Sequence, residues 1–196
     1  MILGITGGTG SGKTTLLKLI EENGGVILDC DAIYHQLLQD DSDLLQAIGN
    51  RFPGTVTGGQ LDRKKLGAVV FGDENALQEL NTITHSAVKR EILRILDKNP
   101  KLAAIDAIAL FESGLNSLCD ITVAVTAPEE QRIQRLISRE GISREYAKKR
   151  ISAQHADAWY QEKCSFALEN DGTLADFQAK CIAFLQQLGI MKPNNL

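Results

Sequence analysis

One short stretch limits what this chain can fold into more than any other: Gly7-Gly8-Thr9-Gly10-Ser11-Gly12-Lys13-Thr14. It reads G-x-x-x-x-G-K-T, a phosphate-binding loop. Its surroundings agree with its letters. Ile2-Leu3-Gly4-Ile5-Thr6 suits a short buried strand ahead of the loop, and Leu16, Leu17 and Ile20 follow it at helical spacing. The glycines let the backbone turn successive N–H groups inward as a nest for phosphate oxygens. The helix that begins near Lys13 adds unpaired N–H groups and the positive end of its dipole. Gly10, Ser11, Gly12, Lys13, Thr14 and Thr15 are therefore the expected phosphate-binding set. Lys13 reaches the outer phosphates as a point charge, and the Thr14 hydroxyl is placed to ligate Mg²⁺. The dinucleotide pattern G-x-G-x-x-G lacks its third glycine here, which favours a triphosphate such as ATP over NAD.

Beyond the loop, short apolar runs alternate with longer amphipathic ones. Gly24-Gly25 stops the first helix, and Val26-Ile27-Leu28-Asp29 reads as a second strand. Residues 31–99 look mostly helical, with a loop from Phe52-Pro53-Gly54 through Gly58-Gly59 and a close at Asn99-Pro100. Leu102–Ile108 and Ile121–Val125 are near-continuous apolar runs, the pattern of parallel strands covered on both faces. Pro128 sits at a helix start, Gly141 breaks that helix, and Ser143 can cap the next. Phe166-Ala167-Leu168 reads as a fifth strand ending in the turn Asn170-Asp171-Gly172, and residues 174–188 as a closing helix ended by Gly189. This alternation implies a doubly wound parallel sheet, with ligands at the carboxyl ends of its strands.

Charge and composition exclude several classes. A net charge of −4 lacks the basic footprint of a general nucleic-acid binder. The most apolar run, Ala103 to Phe111, is short and broken by Asp106, so no membrane span is expected. No signal peptide is expected ahead of the first strand, and the four cysteines form no C-x-x-C pair. They are expected to be reduced thiols of a cytoplasmic protein rather than zinc ligands. The polar tail Lys192-Pro193-Asn194-Asn195 is expected to fray.

Three groups carry chemistry in this reading. Asp29 and Asp31 lie at the carboxyl end of the second strand, where a carboxylate can accept the proton of a hydroxyl attacking a γ-phosphate. Spacing does not choose between them, and one of them capping the next helix is the competing use. Asp106 interrupts an apolar strand, as a carboxylate that orders Mg²⁺ with Thr14 does; a structural ion pair is the alternative. Arg132, Arg135 and Arg139 fall at i, i+3 and i+7 on one helix face, with Arg150 on the next helix. On a segment hinged at Pro128 and Gly141, such arginines would close over the triphosphate. His85 by itself reads as structural, and Trp159 and Tyr160 as packing residues.

In this order the motifs resemble the dephospho-coenzyme A kinase family. The opening Ile5–Thr15 is close to that family's start, and Asp29-Cys30-Asp31 is similar to its D-A-D. Leu61-Asp62-Arg63 with Val70-Phe71 resembles L-D-R…V-F, Leu80–His85 the L…H-P segment, and Leu110-Phe111-Glu112 with Gly114-Leu115 the L-F-E-x-G-L segment. Arg139-Glu140-Gly141-Ile142-Ser143 resembles R-D-G-L-S, Arg150-Ile151 with Gln154 resembles R-I-x-x-Q, and Asn170-Asp171-Gly172 resembles N-D-G. The likeness covers residues 1 to about 172.

The resemblance implies ATP- and Mg²⁺-dependent phosphorylation of the ribose 3′-hydroxyl of dephospho-coenzyme A. It implies an α/β fold of the P-loop NTPase, nucleoside-monophosphate-kinase-like type: a five-stranded parallel sheet flanked by helices. One kinase domain over residues 1–196 would carry a helical substrate lobe at 31–99 and a lid at 128–163. It makes Asp31 the expected base, with Lys13 and Arg139 as catalytic cations. It moves His85, Phe111 and Glu112 to the acceptor side, and it leaves Thr14 and Asp106 as the expected Mg²⁺ residues. The sequence names no adenine-binding residue; from its place at the end of the fifth strand, the Asn170-Asp171-Gly172 turn is the expected position.

The competing readings are a kinase for another hydroxyl acceptor and a nucleotide-binding switch without turnover. The motifs in 61–85 and 110–115 speak against the first, and Asp31 with the arginine-bearing lid against the second. Departures cluster away from the loop. Ser86 stands for the family's Pro, Ile108-Ala109 for Pro-Leu, His155-Ala156-Asp157-Ala158 for M-P-L-E, and Cys164-Ser165 for A-D.

Overall fold

The computed structural model describes residues 1–192. The expectation for the tail beyond Lys192 lies outside the described residues. In chain order the elements begin with β1 (Ile2–Thr6), α1 (Lys13–Glu22) and β2 (Val26–Asp29). Then come α2 (Cys30–Asp40), α3 (Ser42–Arg51), β3 (Val56–Thr57), β4 (Gln60–Leu61), α4 (Arg63–Val70) and α5 (Glu74–Leu96). The remainder is β5 (Ala103–Asp106), a 3₁₀ turn at Leu115–Leu118, β6 (Ile121–Thr126), α6 (Glu129–Glu140), α7 (Arg144–Ser152), α8 (Asp157–Lys163), β7 (Phe166–Glu169) and α9 (Leu174–Gln187).

The main sheet has five strands in the order β2-β5-β1-β6-β7. β1 runs parallel to both neighbours, with Ile5 opposite Asp106 on one side and Val123 on the other. That order follows from composition. β1, β5 and β6 are buried along most of their length and carry little besides Ile, Leu, Val and Ala, so they take the interior of the sheet. Leu16, Leu17 and Ile20 of α1 and Phe177, Cys181, Phe184 and Leu185 of α9 pack over Leu3, Ile5, Val123 and Val125. At roughly 25 cal/mol per Å² of buried apolar surface, this cluster is a main source of the unit's stability. α9 begins in a capping box, in which Thr173 and Asp176 exchange side-chain and backbone hydrogen bonds.

Two compact units arise: Met1–Leu28 with the chain from Pro100 onward, and Asp29–Asn99. The second unit has its own core, in which Leu38, Leu44, Leu45, Ile48, Phe52, Leu66 and Val70 pack together. Each of its α-helices opens on an aspartate that caps it: Asp29, Asp41, Asp62 and Asp73.

Some boundaries differ from the sequence reading. The stretch read as a loop from Phe52 to Gly59 contains one arm of a hairpin, β3–β4, turning at Gly58-Gly59. Strands of two residues are too short to show a period of two, so periodicity could not reveal them. The strand expected over Leu102–Ile108 is shorter, Ala103–Asp106, because pairing with β1 ends at Asp106. Asp157–Lys163 forms a helix that the sequence reading did not assign.

Candidate active site

The phosphate loop hangs between the buried end of β1 and the first turn of α1. Gly12 caps α1 in the left-handed region at φ 106°, and a Cβ there would come within 2.2 Å of Asn170 Nδ2. Glycine is therefore required on two counts. The first turn of α1 follows directly on the loop, and its Thr15 N–H donates to the Gly12 carbonyl at 3.0 Å. Lys13 Nζ donates to the Gly7 carbonyl at 3.0 Å and lies 3.9 Å from Asp106 Oδ1. Lys13 and Asp106 are both mostly buried, so their attraction is screened far less than a surface pair's. Thr14 is exposed, while Ser11 is buried. The structure thus brings together Lys13, Asp106 and the loop at the carboxyl ends of β1 and β5.

The arginine stripe divides in two, which corrects the picture of one face closing over a triphosphate. Arg132 is only 4% exposed, and its Nε donates to the Thr9 carbonyl at 2.9 Å. Arg135 Nη1 donates to the carbonyls of Gly10 and Ser11 at 3.1 and 3.2 Å. Both hold the loop by its carbonyls, the groups a phosphate nest turns outward. Burial lowers the pKa of Arg135 from its usual value. Of the three, only Arg139 is exposed; it pairs with Glu140, which also accepts from Arg150. The spacing was right about a shared face, but that face packs against the loop along its first half.

Asn170 belongs to the same support. Its Nδ2 donates to the Ser11 carbonyl at 2.8 Å, and its Oδ1 accepts from Arg135 at 3.1 Å. Its side chain is thus occupied by the loop, which argues against the use expected of it at an adenine. Gln154 accepts from the Thr9 N–H at 2.8 Å. Sequence reasoning gave Gln154 no role, and gave Asn170 none at the loop. The only signal was their place in the N-D-G and R-I-x-x-Q motifs, because partners more than 140 positions away leave no local trace.

Phe111 and Glu112 follow β5 and meet a small aromatic group. His155 Nε2 lies 2.9 Å from Glu112 Oε1. The His155 ring stacks on Trp159 with centroids 3.8 Å apart, and Phe111 meets Trp159 edge-on at 5.8 Å. Tyr160 is fully buried, as its reading as a packing residue expects.

In the unit Asp29–Asn99, the choice between the two aspartates gains a physical basis. Asp29 Oδ1 accepts from the N–H groups of Asp31 and Ala32 at 2.9 and 3.0 Å, the geometry of an N-cap. Asp31 sits in the first turn of α2 and is exposed. His85 is half-buried in the middle of α5, which packs against α2. Among the described residues no cysteine is in a disulfide. Burial first, with Asp120 nearby, pushes the Cys119 thiol up to about 12; burial alone takes Cys181 to about 12, and it takes Cys164 to about 11. Among the described residues no group of three or more His, Cys, Asp or Glu is arranged to hold a metal, and no helix is long and apolar enough to cross a membrane.

Comparison with known proteins agrees with this geometry. The family described as Dephospho-CoA kinase matches residues 1–176. A dephospho-CoA kinase of Lactobacillus johnsonii is 33% identical, over 95% of this chain and 98% of its own. One from Thermus thermophilus is 34% identical, over 96% of this chain and 92% of its own. Among solved structures, TT1252 from Thermus thermophilus superposes with a TM-score of 0.80 at 33% identity, over 96% of this chain and 97% of that one. Dephospho-CoA kinase from Campylobacter jejuni gives a TM-score of 0.69 at 28% identity, covering 97% and 98%. Shikimate kinase from Acinetobacter baumannii, at 17% identity and a TM-score of 0.53, shares the fold alone. A phosphate loop on a five-stranded parallel sheet and a family match along nearly the whole chain lead to one conclusion: the chain belongs to the dephospho-CoA kinase family, transferases that use ATP to phosphorylate dephospho-CoA in coenzyme A synthesis.

Proposed function

We propose that this chain moves the γ-phosphoryl group of ATP to the ribose 3′-hydroxyl of dephospho-CoA, with Asp31 as the general base. The hydroxyl oxygen attacks the γ-phosphorus, its proton passes to the Asp31 carboxylate, and the β–γ bridging oxygen leaves on ADP. The observation that carries this reading is the loop: a glycine-rich turn between a buried strand and a helix, with Lys13 beside Asp106, in a chain of this family. Both aspartates are exposed, and Asp31 is preferred because Asp29 already accepts two backbone N–H groups.

Lys13 supplies positive charge to the transferring phosphoryl group, and the loop N–H groups supply the rest. Ser11 Oγ is buried with no hydrogen-bond partner among the described residues, a polar atom that a bound nucleotide would satisfy. Arg139 is tied only to a surface carboxylate, and such a pair costs little to break. Its guanidinium can therefore leave Glu140 for a phosphate while Arg150 keeps that carboxylate occupied.

The residues also fit Mg²⁺. That ion takes one or two carboxylates and keeps its other sites for water and substrate phosphates, which suits the hard oxygens of Asp106 and Thr14. When bound, Mg²⁺ would neutralise charge on the phosphates. Phe111, Glu112 and His85 form the acceptor side in this reading, with Asp29–Asn99 as the substrate lobe.

The test is incubation with Mg·ATP and a panel of hydroxyl acceptors, with coenzyme A measured directly. Dephospho-CoA should be the acceptor converted. Turnover of a nucleoside or sugar acid with none of dephospho-CoA would overturn the reading.

A further inference from the structure

Arg132 is a buried guanidinium that no step of phosphoryl transfer uses. A charge so fully removed from water is costly unless each of its donors is met. Here each of the three guanidinium nitrogens has one acceptor. Nε donates to the Thr9 carbonyl at 2.9 Å, Nη1 to Asp157 Oδ1 at 3.0 Å, and Nη2 to Gln154 Oε1 at 3.2 Å. Gln154 Oε1 in turn accepts from the Thr9 N–H at 2.8 Å. Both polar groups of Thr9, N–H and carbonyl, are thereby held from outside the loop.

The packing is equally close. A Cβ on Gly8 would lie 2.0 Å from Arg132 Nη2, and one on Gly10 2.9 Å from the Arg132 carbonyl. The anchor sits on other elements: Gln154 in the turn after α7, and Asp157 in the first turn of α8, where its other oxygen accepts from the Ala127 N–H at 3.3 Å. Asp157 stands where the resembled M-P-L-E pattern has an apolar residue, so this chain has put a charge partner for Arg132 at that place.

We infer that Arg132, Gln154 and Asp157 form a latch that fixes the Thr9 peptide, and with it the aim of the phosphate loop, so that Arg132 is a positioning residue for the nucleotide. A simple ion pair would need only Arg132 and Asp157. The latch needs the fork of the guanidinium, because an ammonium cannot reach Thr9, Gln154 and Asp157 together. The segment from α6 to α8 is then tied to the loop at its root. Only the stretch between Arg139 and Ala153 is left to respond to phosphate.

The inference rests on the proposed function only for its link to ATP turnover, so its test reads ADP binding by calorimetry, which needs no acceptor. In Arg132→Lys the charge beside Asp157 stays, and the melting temperature should stay within a few degrees. ADP affinity should fall roughly tenfold, the scale of one hydrogen bond to a charged group. Gln154→Ala removes only the bridging acceptor and should weaken ADP about threefold to fivefold, within the range of a neutral hydrogen bond. In turnover, the loss should appear in KM for ATP and leave KM for dephospho-CoA unchanged. ADP binding within twofold of wild type in both variants would overturn the latch and leave a structural ion pair. If Arg132→Lys does not fold, Gln154→Ala decides alone. If the wild type makes no coenzyme A while ADP binding responds as stated, the functional reading falls and the latch stands.

Discussion

Around the phosphate loop, the carbonyls of Thr9, Gly10 and Ser11 are each met by a side chain more than 120 positions away, from Arg132, Arg135 and Asn170. In Asp29–Asn99 the side chains that fix the backbone come from within four positions. Asp29, Asp41, Asp62 and Asp73 cap their own helices, and Thr82 and Ser86 bond the carbonyl one turn back. The first region is held by long-range contacts, the second by local ones with an apolar core of its own. A loop fixed from outside cannot shift without breaking several buried hydrogen bonds at once. A unit fixed locally can change one cap or one surface residue at a time.

The contrast can be broken by substitution. The largest effect is expected in the locally fixed unit, at the one position where we place chemistry: Asp31→Asn should cut kcat by about 10²–10⁴, the range for a general base, with KM for ATP nearly unchanged. Near-normal kcat would hand the role to Asp29 or reduce it to positioning. Next, Lys13→Ala should lower kcat by about 10²–10³ and raise KM for ATP as well. An effect confined to KM would mean that Lys13 binds the ground state and the transition state alike.

Behind the loop, Asn170→Ala removes one of the two donors to the Ser11 carbonyl and one acceptor of Arg135 Nη2, and leaves the bond from Arg135 Nη1 to that carbonyl in place. It should cost about 1–3 kcal/mol of stability by chemical denaturation and weaken ADP binding too. Loss of stability with intact ADP binding would separate the loop's support from its function. Asp29→Ala should cost only about 1 kcal/mol, the value of a cap, and should leave ADP affinity alone; a loss comparable to that of Asn170→Ala would erase the contrast.

The smallest effect is one of pH. Hydrogen bonds from Arg144, then from Gln134, hold Glu130 down to about 2, and the hydrogen bond from Arg139 is the largest influence lowering Glu140. A carboxylate depressed in the folded state stabilises it above the unfolded pKa, and the gain is lost as pH falls through the folded value. The pairing of α6 with α7 should therefore loosen between about pH 4.5 and pH 2, seen as faster amide exchange in α7. Both carboxylates are at the surface, so the change should be small and should shrink further in salt.

The same contrast explains what could be read without coordinates. The strand–loop–helix start, the apolar strands and the helix breaks at Gly24 and Gly141 are local patterns, and they stand close to where they were expected. So does the cap at Ser143, whose hydroxyl accepts from the Tyr146 N–H. The arginine stripe shows the limit. Helical spacing puts Arg132, Arg135 and Arg139 on one face, but only the tertiary packing says what that face meets. The supports from Gln154 and Asn170 are further out of reach, since nothing near them in the chain refers to Thr9 or Ser11. Asp29 and Asp31 fall between these cases: the D-x-D pattern marks the place, and the cap geometry separates the two carboxylates.

The main sheet ends on both sides in strands of four residues, β2 and β7. An edge strand is a template on which another chain can add a strand, and short edges offer little length for that. On β7 the last carbonyl, Glu169, is already taken by the Lys180 ammonium at 2.8 Å, and the charged Glu169 and Lys163 bracket the strand. At the β7 edge, Lys180 thus occupies one of the carbonyls that an added strand would need.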